Sequence, residues 1–267
     1  MSGSMNDPKL SVRGLRKVFS TRGSDEVVAL DGADFEIAEK EFVTVIGTSG
    51  CGKSTMLSII AGLEEETEGV VLVDGEHVVG PGRDRGVVFQ SYTLFPWLTA
   101  QKNVEFALRG SGKERAEVAR EHLDLVGLER FGDSYPSQLS GGMRQWVAIA
   151  RALSYKPEVL LMDEPFGALD AQTRQLMQEL LTKVWEEHRL TVMFVTHDID
   201  EAVFLSDRVL VMTSRPGRIK EELPIEIPRP RTFEIFSSPA FFEYKAQLLK
   251  SVREESLRSA EAMEALA

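Results

Sequence analysis

Nine residues, GTSGCGKST at positions 47–55, constrain the fold of this 267-residue chain more than any other stretch. They follow EFVTVIG, an apolar run of strand length, and precede MLSIIAGL, which reads as a helix. Strand, glycine-rich loop and helix in that order are the context that G-x-x-x-x-G-K-[ST] requires of a phosphate-binding loop. The glycines let the backbone curl until the N–H groups of Gly47, Thr48, Ser49, Gly50, Cys51 and Gly52 face inward at the β- and γ-phosphates of a nucleotide, and the following helix adds its positive end. Lys53 contributes a point charge, Ser54 a hydroxyl for Mg2+, and Thr55 completes the pattern.

A loop of this kind needs an α/β body. Apolar runs rich in Val and Ile at 41–47, 69–75, 85–90, 158–164, 191–197 and 208–212 alternate with segments of helical period, the pattern of a largely buried, mainly parallel sheet. Within 172–188, Leu176, Leu180 and Val184 form one stripe with Met177, Leu181 and Trp185 beside it, so this helix is expected to pack through that face. Between Gln90 and Glu158 no run reads as a strand, whereas 113–128 and 142–155 have helical period and point to an all-helical insert. Beyond Pro224, IPRPR at 227–231 removes backbone donors and breaks regular structure. From Pro239 onward Phe241, Tyr244, Leu248 and Val252 recur at helical spacing, which predicts an amphipathic helix packed on its own body or on a twin.

Composition bounds the setting. The net charge of −11 repels nucleic-acid backbones, so no nucleic acid is expected as partner. The single cysteine, Cys51, fits a reducing cytoplasm and reads as a small space-filling residue of the loop. No secretory signal opens the chain and no apolar run approaches the roughly 18 residues that cross a bilayer, so any membrane role is expected to be peripheral. Residues 1–9 read as a disordered, tag-like lead.

A phosphate loop needs a metal-positioning carboxylate and a group that activates water. VLLMDE, 159–164, offers both: Asp163 at the carboxyl end of a buried strand for Mg2+, and Glu164, its side chain turned to the other face, as general base. His197 ends TVMFVTH, and ligands of open parallel sheets bind at such carboxyl ends. His197 is therefore placed to touch a γ-phosphate, while His77, His122 and His188 read as solvated or capping residues. Gln90, ending RGVVFQ, holds a matching position from which to order the attacking water or the metal shell.

A second anion-binding feature lies at 139–153, LSGGMRQWVAIARAL, where Ser140, Gly141 and Gly142 open a helix. Together with the loop at 47–55, Gln90, VLLMDE, GALD at 167–170 and His197, it makes residues 10 to 222 resemble the ATP-binding cassette of ABC transporters, with every motif in the family's order. The resemblance implies an α/β P-loop NTPase fold: a RecA-like core at 10–90 and 157–222 with an antiparallel β subdomain, an inserted α-helical subdomain at 91–156, and a short C-terminal extension at 223–267. It implies ATP and Mg2+ as ligands, Phe19 stacked on adenine, and Asp170 of GALD at the nucleotide. It also implies two cassettes, identical or paralogous, paired head to tail, with Ser140, Gly141 and Gly142 of one capping the γ-phosphate held by Lys53 of the other.

The function expected is ATP hydrolysis driving solute uptake, by a subunit at the cytoplasmic face that docks on separate integral membrane permease subunits and reaches a solute-binding protein only through them. SYTLFPWLTAQKNV (91–104), SRPGRI (214–219) and IPRPR resemble the nitrate, sulfonate, taurine, bicarbonate or thiamine-precursor importers, with a lipid or metal-chelate transporter as the alternative. Cassettes of DNA repair would need hundreds of coiled-coil residues between Gly47 and Asp163, translation-type factors two cassettes and a basic surface, and GTPases an N-K-x-D; none of these is present. Leu94, Phe95, Pro96 and Trp97 run consecutively without a buried period. Phe95 and Trp97 are expected to line a groove for a short cytoplasmic helix of the membrane partner, the competing reading being core of the helical insert.

Overall fold

The computed structural model describes residues 8–20 and 26–264, with side chains described through Glu261. The tag-like lead falls, through Asp7, outside the described residues, and Lys9 is already anchored, its ammonium 2.8 Å from the Asp74 carboxylate. The chain forms two compact units, Met1–Gly82 with Arg189–Ala267, and Arg83–His188. It runs through β1 (Leu10–Ser20), β2 (Glu26–Ile37), β3 (Phe42–Ile46), α1 (Lys53–Ile60), β4 (Glu68–Val73) and β5 (Glu76–His77) in the first unit. The second unit holds β6 (Arg85–Val88), α2 (Ala100–Phe106), α3 (Gly112–Leu125), α4 (Gly141–Leu153), β7 (Val159–Asp163) and α5 (Ala171–His188). The chain returns to the first unit as β8 (Thr191–Val195), α6 (Ile199–Leu205), β9 (Arg208–Met212), β10 (Ile219–Pro224) and α7 (Pro239–Glu264).

In the first unit, β2, β1, β4 and β5 lie side by side as an antiparallel sheet. Separately, β3 pairs in parallel with β8 on one side and β9 on the other, and β10 runs antiparallel along β9. Every residue of β3 and β8 is buried, which is why neither sequence alternates with polar residues. Phe42 and Phe194 meet between them with ring centroids 5.9 Å apart. The amphipathic tail is α7: Phe241 and Leu248 are buried, the Tyr244 hydroxyl accepts from the Glu226 N–H at 3.1 Å, and Lys245 pairs with Asp200 of α6 at 2.7 Å. It packs on its own unit. IPRPR also has a structural task, because the buried Arg231 guanidinium donates to the carbonyls of Val203, Phe204 and Ser206 at 2.7 to 3.1 Å and so satisfies the end of α6.

In the second unit, β6 and β7 are parallel and the regular elements between them are helical, as the missing strand pattern led us to expect. Helix α3 starts on a capping box formed by Ser111 and Glu114. Helix α5 turns a different stripe inward from the one its sequence predicts. Leu176 is exposed, and the buried face is Met177, Leu181, Val184 and Trp185, joined by Gln178 and Thr182. One position is about 100° around a helix, so two adjoining apolar stripes differ only in which one faces the body.

Candidate active site

The phosphate loop leaves β3 and closes on α1, whose N-cap Gly52 has φ 107°, with Gly50 at φ 75°. Both lie in the left-handed region that strains any side chain. Space is short as well: a Cβ on Gly47 would stand 2.8 Å from Cys51 Sγ, and one on Gly52 2.9 Å from the Ala29 oxygen. Lys53 is 6% exposed, and its ammonium donates to the carbonyls of Gly47 at 2.9 Å and Thr48 at 3.2 Å. Helix α1 carries no acidic residue in its first turn, so a buried cation and an uncompensated helix end reinforce each other, the electrostatics a polyphosphate needs. Ser54 is exposed on that first turn, while Cys51 is buried and its thiol is pushed up by that burial.

His197 belongs to the same edge. Strands β3 and β8 pair Val45 with Val195, and Gly47 and His197 each follow two residues later. Thr196 is fixed by its N–H to the Val45 oxygen at 3.2 Å and its hydroxyl to Glu201 at 2.6 Å, and Asp198 caps α6, so His197 is exposed between two anchored neighbours. Phe19 is 38% exposed near the end of β1, with the Lys17 ammonium 4.9 Å from its ring centroid.

The second unit repeats the arrangement. Strands β6 and β7 pair Val88 with Met162, and Gln90 and Glu164 each lie two residues further on. Asp163 ends β7, half-buried. Glu164 takes φ 43°, rare for a residue with a side chain and a mark of strain held at working sites. Strand alternation therefore ends at Asp163, and the orientation of Glu164 is set by a turn, closed by the Gly167 N–H on the Glu164 oxygen at 3.1 Å. A Cβ on Gly167 would lie 3.5 Å from Gln90 Nε2 and 3.7 Å from Glu164 Oε2, so amide and carboxylate border one small space over a glycine. Asp170 caps α5 through the Thr173 N–H at 3.0 Å, and hydrogen bonds from Thr173 hold its carboxyl below the usual range.

Ser140 is the N-cap of α4, its hydroxyl oxygen accepting from the Met143 N–H at 3.3 Å, and no acidic residue sits in that first turn. Gly142 is buried with its Cβ position 2.6 Å from Thr173 Cγ2, so there glycine permits the approach of α5. Trp97 is 70% exposed, which excludes the core reading. Phe95 lies between it and Phe106, with ring centroids at 5.6 and 4.5 Å. The irregular backbone beneath them is held by buried Asn103, which accepts from the Phe95 N–H at 2.8 Å and donates to the carbonyls of Phe95, Leu98 and Thr99. One loop contact escaped the sequence reading: Arg215 Nε and Nη2 donate to the Gly50 oxygen at 3.3 and 3.2 Å. SRPGRI stood out as a lineage mark, but nothing in it signals a partner 165 residues away.

The sequence model of the family described as ABC transporter matches residues 30–167. An uncharacterized ABC transporter ATP-binding protein of Methanocaldococcus jannaschii is 55% identical over 254 residues, 94% of each chain. The chain belongs to the ABC transporter family. Nitrate import ATP-binding protein NrtD of Synechocystis is 48% identical over 264 residues, covering 95% of this chain and 98% of NrtD. Bicarbonate transport ATP-binding protein CmpC of Synechococcus elongatus is 48% identical over 247 residues, 90% of this chain but 37% of CmpC. Among solved structures, a dimeric ATP-binding cassette bound to ADP and Pi in a post-hydrolysis state matches with TM-score 0.72 and 39% identity, over 82% of this chain and all of that one. The RecA-like P-loop fold and the ABC-type ATPase class read from the motifs hold. No helix among the described residues is long and apolar enough to cross a membrane.

Proposed function

We propose that this cassette is the ATP-hydrolysing subunit of an importer for a small oxyanion of the nitrate or bicarbonate kind, working as a head-to-tail pair on separate membrane subunits. The observation that carries the chemistry is Glu164, held at φ 43° beside the Gln90 amide over Gly167. Lys53 and the loop N–H groups neutralise the phosphates of ATP. Water attacks the γ-phosphorus, Glu164 takes its proton, Gln90 orders it, His197 meets the γ-phosphate, and ADP leaves. Ser54, exposed on the first turn of α1, and Asp163, at the end of β7, offer the oxygen donors that suit a hard cation shared with phosphate oxygens. Ser54, Asp163 and Gln90 would hold Mg2+, which when bound neutralises charge on the phosphate oxygens. Phe19 would stack on adenine, Asp170 of GALD would lie at the nucleotide, and Ser140, Gly141 and Gly142 would serve the nucleotide of the partner copy.

The solute class rests on resemblance to NrtD and CmpC. Attachment to the permease rests on Trp97, an exposed aromatic on a backbone braced by Asn103, the kind of anchor that gives large contact area at small entropic cost. Assignment of the base is tested by Glu164→Gln: ATP binding stays and turnover falls about 10²- to 10⁴-fold. Near-normal hydrolysis by that variant removes Glu164 from the role.

A further inference from the structure

The first unit ties its C-terminal helix to its phosphate loop through one short turn. Glu255 of α7, 1% exposed, accepts from the Ser214 N–H at 3.0 Å and the Ser214 hydroxyl at 3.4 Å. Burial pushes the Glu255 carboxyl up, but the Ser214 N–H, Lys220 and Arg258 together hold it below the usual range, so it is a charged acceptor. From Ser214 the chain turns sharply. The Thr213 hydroxyl donates to the Pro216 oxygen at 2.9 Å and accepts from the Arg218 N–H at 3.0 Å, closing the turn on itself. The turn meets the phosphate loop twice, through the Arg215 guanidinium on the Gly50 oxygen and through Gly217, whose Cβ position lies 2.1 Å from the Cys51 oxygen.

The first of these contacts falls on a sensitive peptide. A peptide group is rigid and planar, so a donor on the Gly50 carbonyl also fixes the direction of the Cys51 N–H, inside the loop. Gly50, at φ 75°, has the softest backbone of the loop's exposed side and gains most from an outside clamp. Arg215 is itself exposed, on a turn whose bracing from below comes from α7.

We infer that Arg215 is a positioning residue for the phosphate loop and that Glu255 holds its turn in place, so that the seating of the C-terminal helix sets the affinity of the cassette for ATP. The C-terminal extension thus acts on nucleotide binding without touching nucleotide. This rests on reading residues 47–55 as the loop that holds ATP.

The experiment uses the full chain and measures the Kd for a non-hydrolysable ATP analogue by calorimetry, with KM and kcat for ATP and the melting temperature beside it. Arg215→Ala is expected to raise Kd and KM about fivefold, the scale of one or two partly exposed charge-assisted bonds, with kcat within about twofold of wild type. Arg215→Lys restores at least half of that loss. Glu255→Gln raises Kd about threefold, and the double variant Glu255→Gln with Arg215→Ala binds no more weakly than Arg215→Ala alone, because both act through one contact. An unchanged Kd for Arg215→Ala, or losses that multiply in the double variant, overturns the inference, even if melting temperatures fall. Lys53→Ala is measured alongside. Binding lost there but unchanged in Arg215→Ala overturns this inference alone, whereas normal binding by Lys53→Ala overturns the loop reading and the inference together.

Discussion

Alanine at Gly217 should damage the phosphate loop from behind. The added Cβ would stand 2.1 Å from the Cys51 oxygen, 2.7 Å from Met212 Cε and 3.2 Å from Leu30 Cδ2. Carbon and oxygen rest at about 3.3 Å, so roughly 1.2 Å must be found. Met212 can swing its terminal methyl away, but the Cys51 oxygen is backbone. Gly217 cannot retreat either, because its N–H donates to the Ala29 oxygen at 2.9 Å and its oxygen accepts from the Asp31 N–H at 3.1 Å. The phosphate loop must therefore give way. Overpacking of this kind costs about 1–3 kcal/mol, and at about 2–4 °C per kcal/mol for a chain of this size the melting temperature falls by roughly 2–12 °C. A loop displaced by about 1 Å loses its geometry for phosphate, so the rise in melting temperature that saturating ATP gives the wild type should shrink or vanish. Thermal unfolding with and without ATP reads both effects. Gly112→Ala is the control, since it opens α3 with nothing within 4 Å of its Cβ position and should be neutral or slightly stabilising. A Gly217→Ala protein that melts within about 1 °C of wild type and keeps the full ATP shift refutes the steric argument.

Two further outcomes follow from the proposed function. Mixing Lys53→Ala with Ser140→Arg subunits should recover ATPase activity that neither homodimer shows, because a mixed pair has one composite site free of both defects; a mixture that stays inactive after verified subunit exchange refutes the shared site. Trp97→Ala should leave the isolated cassette folded and hydrolysing ATP while weakening assembly with its membrane subunits about thirtyfold, read by co-purification, and normal assembly would place the docking groove elsewhere.

The motifs were legible because each is short, contiguous and bound to a strand end. Sequence placed the loop after β3, Asp163 at the end of β7, and His197 two residues past β8, and parallel pairing then brought Gly47 and His197 to matching heights from opposite parts of the chain. Glu164 shows where such reasoning stops. Alternation along a strand predicts its direction only while the strand lasts, and the residue breaks the strand by taking φ 43°, a conformation that no neighbouring glycine announces. The long strands β1 and β2 were passed over although Ala33, Phe35 and Ile37 of β2 alternate with exposed Asp34 and Glu36; in β1 register shifts between Val12 and Val18 break the alternation. On α5, two apolar stripes one position apart left the choice to tertiary packing, and packing chose Met177 over Leu176.

What sequence reading missed altogether is the support behind the chemistry. Arg215, Arg231 and Asn103 each satisfy carbonyl oxygens of irregular backbone, at the phosphate loop, at the end of α6 and under Trp97. Irregular backbone exposes donors and acceptors that no ladder pairs, and burying or bracing it calls for a long or forked polar side chain from elsewhere. Such a side chain need only be close in space, so its sequence position carries no period and no motif. The same physics gives these residues their interest, since the geometry an irregular loop offers to a ligand depends on how it is braced. Arg215 braces the loop proposed to hold phosphate, and it does so from a turn seated on the C-terminal helix.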